Sequence, residues 1–307
     1  MSAGWVAGTV RARVLVDRCP GAAGAREIAS CVTLGRALQQ LAGTPYAKYT
    51  RAAAGLPEAQ RAVSATLLWH ARVLAGWLPP GGARLLVPLV SGFEIANVAA
   101  RLSAPDRAYA LEPYRLGALE TAWRRLAEAG TPAELRAALA ASPWGDPGDD
   151  TPWALVTGMR MAAAHRTAVA VPQARNWAVG RAALLTAREL YVHGRSLLEP
   201  VRHDAARLLG TRAPTAPSYQ EFREHLPPPA RRLLTDVAEP DGLWRAEARW
   251  WHTVLDDGTA MLRGSRYGPR VVVGSVAVLS VDAWRVRAAL ESAARGGRLG
   301  EVFDALG

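Results

Sequence analysis

TPAELRAALAASPWG, residues 131–145, decides how the chain is read, because the stretch occurs again. Residues 33–47 read TLGRALQQLAGTPYA, and the two overlay without a gap at an offset of 98, which is 131 less 33. Thr131 falls on Thr33, Leu139 on Leu41, Ala140 on Ala42, Ser142 on Thr44, Pro143 on Pro45 and Trp144 on Tyr46. A weaker third copy opens at Ser218, SYQEFREHLPPPARR, at an offset of 87 (218 less 131), with Phe222 and Leu226 at its apolar positions. Each copy starts with a hydroxyl side chain that can cap a helix by accepting an orphan backbone N–H. Each then places apolar residues four apart, on one helical face, and each stops at proline. An acid recurs at nearly the same period: Glu94 in FEIAN, Glu189 in TAREL and Asp282 in VDAWR, spaced 95 and 93 apart. Periodicity of this kind predicts repeated helical units stacked on one another.

Composition agrees with helices. Half of the 307 residues are hydrophobic, enough for a sizeable core. Alanine, leucine, arginine and glutamate dominate, and all favour helix. The net charge is +10, and Lys48 is the single lysine. Two readings of the arginines stand: an acidic partner such as nucleic acid or anionic lipid, or a coding bias toward Arg on solvated faces. Their even spread, with no run of five, favours the second. Cys19 and Cys31 form no CxxC, so zinc and dithiol chemistry are not expected and both read as reduced thiols. MSAGWVAGTVRAR has no charged region followed by an apolar one, so no signal peptide is expected. The longest apolar run, Val271 to Val281, is far below the roughly 20 residues of a membrane span, so a soluble chain is expected.

The expected elements are helices at 5–18, with Val10, Val14, Trp5 and Val6 inward, then Gly24 to Cys31, and 58–78 with a stripe of Val63, Leu67, Val73, Leu74 and Trp77. Further helices are expected at 83–102, 115–129, 132–141, 153–170, 173–193, 199–209 and 241–263, then one running to about Arg295, with a last short helix in the tail. Pro88 is expected to kink or start its helix, and Gly194 to cap one. Residues 271–281 pose a conflict: their valines favour strand, yet nothing else in the chain offers a partner strand, so a buried helix is expected. Proline-rich boundaries near 103–114 and 212–218 divide the chain into three helical units, 1–105, 106–212 and 213–307.

No constellation for catalysis or metal binding emerges. HExxH, GxSxG, GxGxxG and the phosphate-loop pattern are all missing. Glu189 with His193, and His252 with Asp256, give two ligands each where a zinc site needs three or four. Asp149-Asp150 and Asp256-Asp257 are adjacent pairs that do not converge on one point. No catalytic residue, cofactor or metal is therefore expected, and the chain reads as a non-enzyme. The eleven tryptophans read as core packing or as anchors of a protein-binding face. Glu94, Asn97 and Arg101 share a helical face, as do Asp282 and Arg285, which suggests polar contacts within the chain or between subunits.

Four stretches resemble one known family. VRARVLVDR (10–18), TLGRALQQLAGTPY, FEIANVAARLSA (93–104) and GPRVVVGSVAVLSVDAWRVRAAL (268–290) are similar to helices of the central-stalk socket of the V-type and A-type rotary ATPases, the vacuolar and archaeal kinds. Asp282 matches that family's terminal acid and Arg287 its arginine, while Arg285 replaces an asparagine. The resemblance implies an all-α fold with three similar units as a pseudo-threefold funnel. It implies a non-catalytic job: linking rotor shaft subunits to the proton-translocating membrane ring, in the cytoplasm and peripheral to the membrane through the complex. No small-molecule substrate follows from it. Interface candidates are Glu94, Asn97, Arg101, Glu189, Asp282, Arg285 and Arg287. The alternative is a stand-alone helical adaptor, or an arginine-rich nucleic-acid-binding protein, diverged from the rotary complex.

Overall fold

The computed structural model describes residues 2–51, 53, 55–103 and 112–297, and every regular element among them is helical. The all-α expectation is met. The expected tail helix and the first unit boundary, at 105/106, lie outside the described residues.

The repeated stretches form three short helices: α3 (Leu34–Gln40), α9 (Pro132–Ala140) and α13 (Tyr219–His225). Thr33, Thr131 and Ser218 each accept from the backbone N–H three residues on. Glu134 answers Thr131 by accepting from its N–H, completing a reciprocal cap. The exits of the first two copies match atom for atom. Thr44 Oγ1 donates to the Leu41 carbonyl at 2.8 Å and accepts from Tyr46 N–H at 3.3 Å. Ser142 Oγ donates to Leu139 at 2.8 Å and accepts from Trp144 N–H at 3.2 Å. The intervening Pro45 and Pro143 have no N–H, so the hydroxyl reaches past them to the aromatic residue. Leu41, Leu139 and Leu226 are all buried near the ends of their stretches.

The chain divides into two compact units. One joins the two ends of the sequence, Met1–Ala83 and Trp251–Gly307. It contains α1 (Ala3–Asp17), α2 (Gly21–Ala29), α3, α4 (Ala47–Thr50), α5 (Leu56–Trp77) and the long α16 (Pro269–Ala294). Helix α16 packs against α1, α2, α3 and α5. Surrounded in this way, it needs apolar residues on every face, and Val271, Val272, Val273, Val276, Leu279 and Val281 are all buried. That is why a valine-rich run folds as helix here.

The other unit is Arg84–Trp250. It holds most of α6 (Ala83–Leu89), then α7 (Gly92–Ser103), α8 (Trp123–Glu128), α9, α10 (Pro152–Ala170), α11 (Arg175–Ala187), α12 (Glu199–Leu209), α13, α14 (Pro228–Leu233) and the start of α15 (Leu243–Gly264). Helices α6 and α7 meet at 42°, with Pro88 in the last turn of α6, as expected of that proline. Helix α11 runs on into a π turn, Arg188–Val192, and Gly194 just beyond it has φ 63°. No single described helix is long and apolar enough to cross a membrane. The compact units differ from the three consecutive spans read off the sequence, and the 212/213 boundary falls inside the second unit.

Three element readings need correction. Helix α1 buries Gly8, Thr9, Ala12 and Leu15, leaving Val6, Val10 and Val14 outside. Close neighbours dictate this: a Cβ on Gly8 would stand 2.6 Å from Leu78, and one on Gly4 3.1 Å from Pro79. Only small residues fit at the points of closest approach, positions 4 and 8. The helix expected over 115–129 is confined to α8, preceded by a single 3-10 turn at Gly117–Leu119. Trp77, placed on the buried stripe of α5 by its spacing, is exposed.

Candidate functional site

The three recurring acids are buried, and each holds an aromatic donor. Glu94 on α7 accepts from Trp144 Nε1 at 2.7 Å. Asp282 on α16 accepts from the Tyr46 hydroxyl at 2.6 Å. Glu189, in the π turn after α11, accepts from Trp153 Nε1 at 2.6 Å. The first two pairings join the acid to the aromatic residue that closes a copy of the repeated stretch. The third uses a tryptophan at the start of α10, because the third copy has no aromatic residue at the matching place.

Glu94 and Asp282 also start helices. Glu94 accepts from the N–H groups of Thr121 (2.7 Å) and Ala122 (2.9 Å), just ahead of α8. Asp282 accepts from Gly21 N–H at 2.8 Å, the first residue of α2. A carboxylate at a helix N-terminus meets orphan donors and the positive end of the dipole. The far ends are held by the same long helices. Arg101, two turns beyond Glu94, donates to the Leu126 and Ala127 carbonyls at 3.0 and 2.7 Å. Ser292 donates to the Ala29 carbonyl at 3.2 Å. A short helix is thus clamped at both ends by one long helix in each case, α8 by α7 and α2 by α16.

Around Asp282 burial is the largest influence on every group that titrates. Burial raises the Asp282 carboxyl, opposed by the Tyr46 hydroxyl, Gly21 N–H, Cys19 and Arg285. Burial, then the Asp282 charge, pushes the Tyr46 phenol and Cys19 thiol up. The thiol lies within reach of both Asp282 and the Leu15 carbonyl, and its one proton serves one of them at a time. In the second unit Arg166 lies over the Trp144 ring at 4.9 Å and donates to Thr121 Oγ1 at 3.1 Å. Burial lowers its pKa, and the Glu94 charge opposes that.

The residues selected from the sequence therefore fall into two groups. Glu94, Asn97, Glu189, Asp282 and Arg285 are buried, and Arg101 is half-buried. Asn97 is spent on Tyr114, donating to its carbonyl and accepting from its N–H. Arg287 alone is exposed. The helix-starting role of the acids escaped sequence reasoning, although Gly21 and Thr121 lie 100 residues apart (121 less 21), close to the repeat offset of 98. Among the described residues no group of three or more His, Cys, Asp or Glu side chains is placed to hold a metal. No protein-family model matches the chain, and no curated protein matches it.

Proposed function

We propose that this chain is a non-catalytic coupling subunit with three similar helical units arranged as a pseudo-threefold funnel. Its job would be that of the rotary-ATPase socket it resembles: to seat rotor shaft subunits on the proton-translocating membrane ring, in the cytoplasm and peripheral to the membrane. One observation carries the reading: a buried acid recurs three times, each bonded to an aromatic N–H or O–H. Such charge-assisted bonds are stiff, and they fix helix against helix. A part that transmits torque needs that rigidity. The polar residues of these clusters are committed to structure, and Cys19 and Tyr46 are held as protonated donors rather than nucleophiles.

Affinity purification of the tagged chain from its native host tests the reading. Shaft, peripheral-stalk and nucleotide-binding subunits are expected to be recovered with it. Recovery without any of them, from a host that makes them, overturns it. The nucleic-acid alternative is less well supported, because many arginines are already engaged. Arg13, Arg101, Arg125, Arg231 and Arg249 donate to backbone carbonyls, and Arg136, Arg181 and Arg188 pair with acids. That alternative requires a salt-steep affinity for DNA or RNA.

A further inference from the structure

The outer face of α1 is apolar where a surface helix is ordinarily polar. Val6, Val10 and Val14 are 37%, 52% and 41% exposed and lie four residues apart, on one stripe with exposed Ala3. Among the described residues no other helix exposes more than one large apolar side chain. The opposite face of α1 is buried in its unit. A helix that is apolar on both sides has a neighbour on both sides. Arg13, which flanks the stripe, is turned away from it, its guanidinium donating to the Leu262 and Ser265 carbonyls at 2.9 and 2.7 Å.

The stripe is also self-complementary. Val6 and Val14 lie four residues to either side of Val10, and Ala3 and Asp17 seven to either side. A two-fold axis through Val10 sets Val10 on its own copy, Val6 on Val14, and Asp17 beside Ala3. The charges fit this arrangement. Asp17 sits in the last turn of α1, against its own helix dipole, while the first turn carries no acid and Ser2 makes no side-chain cap. Antiparallel pairing brings each Asp17 to the uncapped N-terminus of the other helix, where an acid is favourable.

We propose that α1 is a self-association surface, on which a second copy of this chain packs antiparallel with Val10 on the two-fold axis. One helix pair covers less than a standard interface of roughly 1,600 Å², which places the dimer among the weak or transient associations. The proposal is independent of the coupling role.

Sedimentation velocity on the full chain, from roughly 5 to 500 µM, covers concentrations at which a weak dimer forms. The wild type is expected to shift from monomer to dimer. Val10→Glu and Val10→Arg are each expected to stay monomeric with wild-type helix content by circular dichroism. Mixed together they are expected to associate, since opposite charges then meet at the axis. Asp17→Lys is expected to weaken the dimer roughly tenfold. A wild type that stays monomeric throughout overturns the proposal. So does a mixture of the two Val10 variants that fails to associate. Binding of the wild type to phosphatidylglycerol vesicles without self-association also overturns it, by making the stripe a lipid contact.

Discussion

Glu94 has two carboxylate oxygens and three donors, the N–H groups of Thr121 and Ala122 and the Trp144 indole. Glutamine keeps the shape but turns an NH2 toward one of those donors and removes the charge. Glu94→Gln is therefore expected to destabilise by about 2–4 kcal/mol, read from urea unfolding. In a double-mutant cycle with Trp144→Phe, the pair is expected to couple by about 1–3 kcal/mol. Additive effects would mean that the bond contributes nothing of its own. His70 supplies a second test. Burial, then the Arg11 and Arg18 charges, lower its pKa from 6.5 to about 4. The unfolded chain thus takes up the proton first as pH falls. The stability tied to a neutral His70 is whole above pH 6.5 and drains away as pH falls from 6.5 to about 4. Across that window the loss is about 3 kcal/mol. His70→Gln is expected to flatten the dependence of unfolding free energy on pH there, and an unchanged slope would refute the assignment.

At the scale of elements, close approach matters as much as hydrophobicity. Helices α15 and α16 meet at Gly258 and Gly274, where a Cβ on Gly274 would lie 2.6 Å from the Gly258 carbonyl oxygen. Gly274→Ala forces the two helices apart and is expected to destabilise by about 1–3 kcal/mol in thermal or urea melts. Gly76→Ala is the control. Gly76 lies in α5 with nothing near its would-be Cβ, so alanine there is expected to be neutral or to stabilise by up to about 1 kcal/mol. If both variants melt alike, the glycine contact is not tight. The same principle explains which elements could be read from the sequence. The capped helices α3, α9 and α13 were legible because hydroxyl, apolar spacing and proline are local signals. Helix α1 was legible as a helix but not in its orientation, since its buried face is chosen by the nearness of Leu78 and Pro79, which no periodicity reveals. The recurring acids were visible as marks at a fixed period, but their helix-starting bonds depend on residues up to 261 positions away.

At the scale of the molecule, the repeat is closed by the two ends of the chain. The acid that holds the first repeated stretch, Asp282, comes from the last long helix. Glu94 by contrast holds the second stretch from only 50 residues upstream. In chain order each acid comes after a stretch, and consecutive division into units follows naturally from that order. The contacts instead join Glu94 to the stretch that follows it, and Asp282 returns to the first. This connection predicts how fragments behave. Residues 84–250 contain two of the acids, their aromatic partners and a core that includes Phe222, Leu209 and Met161. Expressed alone, that segment is expected to be helical and to melt cooperatively. Residues 1–83 lack α16, the helix against which α1, α2, α3 and α5 all pack. They leave the Gly21 N–H and the buried Tyr46 hydroxyl without their Asp282 acceptor, and are expected to show little helix by circular dichroism until residues 251–307 are supplied. A cooperative melt from residues 1–83 alone would mean that α16 caps a unit already formed, and that the chain ends do not close it.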